Sequence, residues 1–222
     1  KTQVIRIAQP FNYSSLNNTG AKQARHEFLL FMNNDVFVKN PDWLKIMLNE
    51  CLVNDRVAAV GAKLLYPNGT IQHAGVVLGV GGVADHAFRG QPGNTPGYMM
   101  RAMAAQEISA VTAACMLVRK VAFDEVSGFD ETDLAVAFND VDLCMKLTAA
   151  GWQIIYAPDV VLEHHESMSR GSDLNEGKIS RFMLENKVMQ LRYEAVLPND
   201  PFYNQHFSRE GGVYRELRIL EP

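Results

Sequence analysis

Two amides and one acid follow an apolar run near the amino terminus of the chain. Asn33, Asn34 and Asp35 come directly after Phe28–Met32, whose uninterrupted apolar sequence is typical of a strand covered on both faces. Ligands of open α/β sheets bind outside the carboxyl ends of the strands. A carboxylate there can hold Mg²⁺ or Mn²⁺, often together with substrate phosphates. The alternative is an Asx-type turn that only ends the strand, and the local sequence by itself favours that turn.

A second candidate site opens a predicted helix at Asn139. Asp140 and Asp142 cannot both point into one site, because residues two apart do not share a helix face. Asn139 suits the N-cap and Asp142 suits the first turn, in a pattern close to a capping box. Asp140 is left without a structural role. It is therefore the better candidate for a general base, since a helix start stabilises an ionised carboxylate.

The third candidate is the pair His164-His165, with Arg170 shortly after it. Adjacent strand residues point to opposite faces, so at most one histidine enters a given site. One of them could complete the coordination of a metal held by Asp35, and Arg170 could grip a phosphate. A histidine at a strand end is more often a hydrogen-bonded surface group, so this interpretation depends on the two acidic candidates.

The composition describes a globular chain and excludes several function classes. Its 222 residues are 47% apolar and 21% charged, which suits one large α/β unit. A net charge of −4 argues against general binding to nucleic acid or anionic membrane, and no apolar run is long enough to span a bilayer. Cys51, Cys115 and Cys144 lie far apart in apolar surroundings, which predicts reduced core thiols.

The predicted elements must position these side chains. Strand, helix and strand alternate early in the chain, which indicates a βαβ unit and a mostly parallel sheet. Residues 75–97 are rich in Gly and Pro and predict a long irregular surface segment, of the kind that usually carries binding residues. Strands are predicted at 4–8, 28–32, 57–61, 111–119, 153–156 and 160–162, and helices from Ser14 towards Arg25, from Pro41 to Leu52, at 121–126, at 139–150 and from 175 to 195.

Several short motifs occur in a characteristic order. They are residues 12–20, FLLFMNND (28–35), TAACMLVR (112–119), GFDE (128–131), FNDVDLC (138–144), AAGW (149–152), HHESMSRG (164–171) and NDPFYN (199–204). In order and spacing they resemble an inverting family-2 nucleotide-sugar glycosyltransferase of the GT-A fold. The resemblance covers most of 11–171 and looks closest to rhamnosyltransferase-like domains of bacterial enzymes that build cell-surface polysaccharide.

The resemblance implies roles on the donor side of such an enzyme. Residues Asn33–Asp35 match the family's D-x-D motif at the donor diphosphate, with an amide in the place of the first acid. Asp35 would then be the ligand of a Mg²⁺ or Mn²⁺ ion. His164 matches the histidine that contacts the metal or the diphosphate, with His165 as its rival, and Arg170 is implied at the diphosphate.

On the acceptor side, Asp140 matches the family's catalytic base. Asn139 stands where the family has a glutamate before that base, and it is implied at the acceptor together with His73 and His86. The implied reaction is a single displacement that transfers a sugar from a nucleoside-diphosphate donor to a saccharide acceptor with inversion.

The resemblance also implies an architecture, which is an α/β GT-A fold with a mostly parallel central sheet flanked by helices. The family's first strands, which hold the nucleotide, find no counterpart before the strand at 4–8. We therefore expect a piece of a longer protein. The implied divisions are a partial glycosyltransferase domain at 1–197, made of a nucleotide and metal half (1–66), an acceptor and catalytic half (67–171) and a closing helix (172–197), and a tail or linker at 198–222.

The expected partners are the nucleotide-sugar donor, the saccharide acceptor and other domains of a larger chain, with no nucleic acid. Unpaired sheet edges favour association with another copy. We expect a cytoplasmic location, peripheral at the inner face of the membrane. The alternative function is a non-catalytic, glycosyltransferase-like binding module within a larger protein, which the missing nucleotide half favours.

Overall fold

The computed structural model describes residues 2–165 and 176–218 of the chain. Its α-helices are α1 (Tyr13–Gln23), α2 (Trp43–Val53), α3 (Lys120–Glu125), α4 (Asn139–Ala149) and α5 (Glu176–Arg192). Its strands are β1 (Phe28–Met32), β2 (Val36–Val38), β3 (Val57–Leu65), β4 (Ile71–His73), β5 (Val76–Leu78), β6 (Ala84–His86), β7 (Gln106–Glu107), β8 (Cys115–Arg119) and β9 (Gln153–His164). Short 3-10 turns lie at Val80–Gly82, Tyr98–Met100 and Leu197–Asn199.

A seven-stranded sheet forms the centre of the described chain. Its strands lie in the order β1-β8-β3-β9-β2, with β4 also paired to β3 and β7 to β9. Among the described strands, β3 and β9 are the only parallel neighbours, and the other pairings of this sheet are antiparallel. The sheet is therefore mixed and not mostly parallel as predicted. β8 runs antiparallel between β1 and β3, so β1 and β3 point the same way with one strand between them.

Helices cover the sheet on both faces. On one face, Met47 and Cys51 of α2 pack with the β3 side chains Val60, Ala62 and Leu64. On the other face, residues of α1, α3, α4 and α5 join a larger core that includes side chains of β1, β3 and β8. This double cover explains why β3 and β8 are apolar almost without interruption.

The amino-terminal segment differs from its prediction. Residues 4–8 form no strand, and Val4 and Ile5 are 76% and 40% exposed. A strand needs a neighbour that takes up its backbone hydrogen bonds. Among the described strands only β8 pairs with β1, so residues 4–8 are not paired with β1. The first helix is present but begins earlier than predicted, because Oδ1 of Asn12 caps it by accepting a hydrogen bond from the Ser15 amide at 2.8 Å.

The carboxyl-terminal part of the described chain packs against the body of the molecule. Tyr203 and Val213 are buried in the larger core. The buried Asp200 accepts hydrogen bonds from the Leu78 amide at 2.7 Å and from the Ser109 hydroxyl at 2.8 Å. The segment predicted as a tail or linker is thus attached to β5 and to the 75–110 region. A buried carboxylate such as that of Asp200 needs hydrogen-bond donors of this kind. The division of the chain into domains stays a prediction.

Two predictions about the interior can be compared directly with the structure. The three cysteines are free and buried, as expected for core thiols, and burial raises the pKa of each thiol to about 12. The strands predicted at 153–156 and 160–162 are one continuous strand, β9. Within the described residues, no helix is both long enough and apolar enough to cross a bilayer.

Gly61 in β3 provides a test of this packing. A Cβ atom at Gly61 would lie 2.3 Å from Cβ of the buried Val111, so we expect Gly61→Ala to lower the free energy of unfolding by about 1–3 kcal/mol through overpacking. Gly20→Ala is the matched control, since no atom lies within 4 Å of its added Cβ in α1. That variant should gain up to about 1 kcal/mol. Urea unfolding measures both, and equal stabilities would contradict the described approach of β3 to Val111.

Candidate active site

The register of β1 and β8 places the first candidate residues. Met32, the last residue of β1, lies opposite Cys115, the first residue of β8, in this antiparallel pair. Asn33, which follows β1, therefore lies opposite Ala114, which precedes β8. The Asn33 amide accordingly donates a hydrogen bond to the Ala114 carbonyl at 2.9 Å. Asn34 is exposed in the turn that follows. The turn predicted at the end of β1 is therefore present, and it carries Asp35 toward a second part of the sheet.

Asp35 meets His164 at the carboxyl end of β9. The pairing of β2 with β9 sets His164 opposite Val36, and Oδ1 of Asp35 lies 3.0 Å from Nε2 of His164. Nδ2 of Asn33 lies 3.2 Å from the same ring nitrogen. His164 is buried, and the Asp35 carboxylate is largely shielded from solvent. The structure thus brings Asn33, Asp35 and His164 together.

The neighbouring His165 points elsewhere. Its Nε2 lies 2.6 Å from a carboxylate oxygen of Glu163, and its ring packs on Phe37 at 4.4 Å between centroids. The alternation of side chains along β9 therefore gives only one of the two histidines to Asp35. Arg170 lies outside the described residues.

The donor set around Asp35 fits a divalent cation. Oε1 of Gln72 lies 2.7 Å from Nδ1 of His164, and because an amide oxygen can only accept, Nδ1 carries the proton. In the neutral ring, Nε2 then presents a lone pair toward the Asp35 carboxylate. Two acceptor atoms at this distance need a proton or a cation between them. A histidine whose second nitrogen donates to an amide oxygen is the usual arrangement of a metal ligand.

This set is small. No group of three or more histidine, cysteine or acidic side chains with metal-binding geometry exists among residues 2–165 and 176–218. Asp35 and His164 supply two ligands. Mg²⁺ and Mn²⁺ sites commonly take only one or two carboxylate or imidazole ligands from the protein and complete their shell with substrate phosphates and water.

Asp140 lies at the start of α4 with its carboxylate held by two backbone amides. Oδ2 accepts from the Ala113 amide at 3.1 Å, and Oδ1 accepts from the adjacent Val141 amide at 2.9 Å. These two donors fix the orientation of the carboxylate. Phe138, the residue before α4, has a left-handed backbone with φ of 58°, which is uncommon for a bulky side chain and is found mainly where the surrounding structure enforces it.

Asn139 and Asp142 do not form the predicted capping box. The Asn139 side chain is buried and donates to the Val136 carbonyl at 3.0 Å, so it contacts the preceding loop and not a ligand-facing surface. Asp142 is fully buried and binds Arg192 and Tyr193 at 2.8 and 2.7 Å. Its other oxygen lies 3.1 Å from Nζ of Lys146. The capping-box prediction was too local, because the tertiary partners Arg192 and Tyr193 use this carboxylate.

Helix α5 anchors the loop before Asp140. The buried Glu185 carboxylate accepts hydrogen bonds from the Val136 and Ala137 amides at 3.0 and 2.9 Å. At the end of the helix, Arg192 and Tyr193 reach Asp142. Burial, followed by the nearby Asp142 carboxylate, raises the pKa of the Tyr193 hydroxyl, so Tyr193 acts as a neutral donor. Glu185 and Arg192 were not predicted, and nothing local in the sequence of α5 distinguishes them from surface charges.

The two histidines predicted on the acceptor side, His73 and His86, form a pair. Nδ1 of His73 lies 2.8 Å from Nδ1 of His86, and Nε2 of His73 accepts a long hydrogen bond from the Thr112 amide at 3.4 Å. His73 is completely buried. Burial, with the neighbouring His86 as the second cause, holds the pKa of His73 well below its usual range. The pair therefore contacts the Thr112 amide, and the amide of the next residue, Ala113, holds Asp140.

Solved structures with a similar architecture show the fold of the chain. A mannosyltransferase from Pyrobaculum calidifontis, solved with GDP-mannose and Mn²⁺, aligns with 86% of this chain and 46% of its own, with a TM-score of 0.54 and 15% identity. GalNAc-T7, solved with UDP, GalNAc and Mn²⁺, aligns with 83% of this chain and 36% of its own, with a TM-score of 0.61 and 11% identity. The fold is GT-A-like, a mixed sheet flanked by helices.

The sequence family gives the closer assignment. A family described as "Glycosyltransferase like family 2" matches residues 2–176. The chain belongs to this family, as the resemblance predicted.

Curated relatives extend well beyond this chain. An uncharacterised protein of Sinorhizobium fredii is 45% identical over 95% of the chain and 23% of its own length. An O-antigen biosynthesis protein of Myxococcus xanthus is 38% identical over 90% of the chain and 15% of its own length. An N-acetylglucosaminyl-diphospho-decaprenol L-rhamnosyltransferase of Mycobacterium tuberculosis is 31% identical over 62% of the chain and 49% of its own length. The chain thus spans from about a seventh to about half of these relatives.

The different surroundings of the two α4 acids yield a prediction. Asp142→Ala removes the buried partner of Arg192 and Tyr193, so we expect a loss of about 3–5 kcal/mol in the free energy of unfolding. Asp140→Asn keeps an oxygen for one amide and should lose less than about 1.5 kcal/mol. Chemical denaturation followed by circular dichroism measures both. A smaller loss for Asp142→Ala than for Asp140→Asn would show that the structure has assigned the two acids wrongly.

Proposed function

We propose that this chain carries the catalytic residues of a metal-dependent glycosyltransferase. The enzyme transfers a sugar from a nucleoside-diphosphate donor to a saccharide acceptor, with inversion, in the biosynthesis of cell-surface polysaccharide. The observation that carries the proposal is that the proposed base and the segment with the proposed metal ligands both hydrogen-bond to two adjacent residues, Ala113 and Ala114. The Ala113 amide holds Asp140, and the Ala114 carbonyl holds Asn33 beside Asp35 and His164.

The names of the relatives support this assignment. An O-antigen biosynthesis protein and a rhamnosyltransferase are 38% and 31% identical to the chain. Both similar structures were solved with a nucleotide or nucleotide sugar and Mn²⁺. Because their identity to this chain is low, these structures support the fold. The ligand class is supported by the residues at the site of this chain.

In the proposed mechanism, Asp140 accepts the proton of an acceptor hydroxyl. The oxygen of that hydroxyl bonds to the anomeric carbon as the bond to the nucleoside diphosphate breaks, and the configuration inverts because the acceptor attacks directly. The amides of Ala113 and Val141 hold the carboxylate in one orientation before the proton transfers. General-base catalysis of this kind contributes about 10²–10⁴-fold to the rate.

Asp35 and His164 would hold the Mg²⁺ or Mn²⁺ ion. When bound, the ion supplies positive charge that stabilises the departing diphosphate. Gln72 keeps the proton of His164 on Nδ1 and so directs the lone pair of Nε2 toward the ion. The Asn33 amide lies 3.2 Å from the same nitrogen and donates to its lone pair, a place that the ion would take. Asn34 and Arg170 remain proposed contacts of the diphosphate.

Asp140→Asn tests the proposed base. The amide keeps the size of the side chain but cannot accept a proton, so transfer by the intact protein should fall by about 10²–10⁴-fold. Donor binding, measured by calorimetry with the nucleoside diphosphate and Mn²⁺, should stay unchanged. Asp159→Asn, at an exposed position of β9, serves as the control and should retain full transfer. Full turnover by Asp140→Asn would remove Asp140 from the mechanism, whereas absence of transfer by the unmodified intact protein would favour the non-catalytic binding module.

Asp35→Asn tests the metal side independently of turnover. Loss of the carboxylate should weaken Mn²⁺ binding in the presence of nucleoside diphosphate by at least about tenfold. Electron paramagnetic resonance of free Mn²⁺ measures this directly. Asp55→Asn, an exposed residue between α2 and β3, is the control and should bind Mn²⁺ as the unmodified protein does. Equal affinities for the two variants would show that Asp35 holds no ion.

A further inference from the structure

The short segment before β8 connects the two candidate groups of the site through its main chain. The amide of Ala113 donates to the Asp140 carboxylate at 3.1 Å. The amide of Ala114 donates to the Thr112 hydroxyl at 3.3 Å, and its carbonyl accepts from the Asn33 amide at 2.9 Å. The carbonyl of Ala113 lies between these contacts in the chain. Its partner therefore bears on the orientation of the peptide groups on both sides of it.

The donor to the Ala113 carbonyl comes from the first helix of the chain. The hydroxyl of Tyr13, the first residue of α1, donates to this carbonyl at 3.0 Å from a distance of 100 positions in the sequence. The Tyr13 ring packs edge-to-face on Phe129, at 6.0 Å between centroids, and contacts the larger core. Because the ring and the hydroxyl have separate partners, the ring stays in place when the hydroxyl alone is removed.

The same turn of α1 also holds the loop that leads to Asp140. Ser14 is fully buried. Its amide donates to the Ala135 carbonyl at 3.2 Å, and its hydroxyl donates to the Leu134 carbonyl at 2.5 Å. Two neighbouring residues of one helix turn therefore bind both the loop that precedes Asp140 and, through the Tyr13 hydroxyl, the segment that supplies its amide partner.

The Tyr13 hydroxyl orients the peptide group between Ala113 and Ala114. A buried carbonyl without a hydrogen-bond partner is unfavourable, so this peptide group keeps the orientation in which the hydroxyl reaches it. The Ala113 amide belongs to the adjoining peptide group, so a rotation of the first group changes the direction in which the second points its N–H toward Asp140. Catalytic groups need to be held within about 0.5 Å of their productive geometry. A loosened peptide group at this point therefore lowers the fraction of molecules in which the base is correctly placed.

We propose that Tyr13 is a positioning residue for the proposed base. Its hydroxyl acts through the peptide group between Ala113 and Ala114 on the orientation of the Asp140 carboxylate, and so on the rate at which that carboxylate accepts the proton. This role needs no contact between Tyr13 and the acceptor, the donor or the ion. The inference rests on the proposed function, because it names a further residue on which the rate of that reaction depends.

Tyr13→Phe tests the contact without any measurement of activity. The phenylalanine keeps the ring and removes the hydroxyl, so the ¹³C resonance of the Ala113 carbonyl should move upfield as its hydrogen bond is lost. Protein labelled with carbonyl-¹³C and ¹⁵N alanine shows only the four Ala-Ala peptides of the chain, of which 113–114 is one. Single substitutions in the other three pairs assign its signal. An unchanged Ala113 carbonyl resonance in Tyr13→Phe would overturn the inference.

Transfer kinetics of the intact protein test the consequence for the reaction. The kcat of Tyr13→Phe should fall by about three- to tenfold, which is the effect of one lost hydrogen bond, with unchanged KM values for donor and acceptor. In the Asp140→Asn background, Tyr13→Phe should have no further effect on the residual rate, because the group that it positions is already lost.

Tyr156→Phe is the matched control. Its buried hydroxyl also donates to a main-chain carbonyl, that of Ala102 at 3.1 Å, and Nζ of Lys63 binds the same carbonyl. This variant loses the same chemical group as Tyr13→Phe but should keep full kcat and an unchanged Ala113 carbonyl resonance. A loss of kcat in Tyr156→Phe equal to that in Tyr13→Phe would overturn the inference, since any buried tyrosine hydroxyl would then have the same effect.

The outcomes separate this inference from the proposed function. Loss of transfer in Asp140→Asn together with full kcat in Tyr13→Phe would overturn the positioning role and leave the proposed base in place. A raised acceptor KM in Tyr13→Phe, or an equal fold loss with and without the Asp140 carboxylate, would also overturn it, since Tyr13 would then act on the substrate or on the structure in general. Full transfer by Asp140→Asn would overturn the proposed base itself, even where the Ala113 carbonyl resonance confirms the contact with Tyr13.

Discussion

Two backbone groups on neighbouring residues hold the candidate site together. The amide of Ala113 binds the Asp140 carboxylate, and the carbonyl of Ala114 accepts from the Asn33 amide at the end of β1. Both residues are buried just before β8. Because a buried backbone group without a partner is strongly unfavourable, this short segment has one favourable arrangement. The spacing between the acidic groups is thus fixed by sheet register and by main chain, with little dependence on flexible side chains.

A distant helix keeps the other side of the site in place. Glu185 of α5 binds the two amides before Phe138, and the Asp142 amide binds the Phe138 carbonyl at 2.8 Å. Phe138 is held between these contacts in a left-handed conformation that would otherwise be unfavourable by about 1–3 kcal/mol. The turn into α4 is therefore maintained by α5, and the position of Asp140 depends on residues about forty-five positions later in the chain.

The sequence predicted those parts of the site that local patterns determine. The polar residues after an apolar strand, the acid without a capping role in FNDVDLC and the pair of histidines each stand out because a simple structural role fails to explain them. The resemblance then supplied the fold class. What remained hidden depends on tertiary neighbours, such as the pairing of Asp142 with Arg192 and the contact of Gln72 with His164. The antiparallel β8 between β1 and β3 was equally hidden, since a buried strand has the same apolar composition in either direction.

The length of β9 is constrained by the alternation of its side chains between the two faces of the sheet. Its buried side chains fall on even positions from Ile154 to Tyr156 and again from Val160 to His164, and three residues at 158–160 have no partner in the register with β3. Deleting one residue in the regular part would exchange the two faces of the strand and turn His164 away from Asp35. The irregular stretch at 158–160 is the place where related chains can absorb an odd change in length, so diversity among them should concentrate there while the histidine keeps its face.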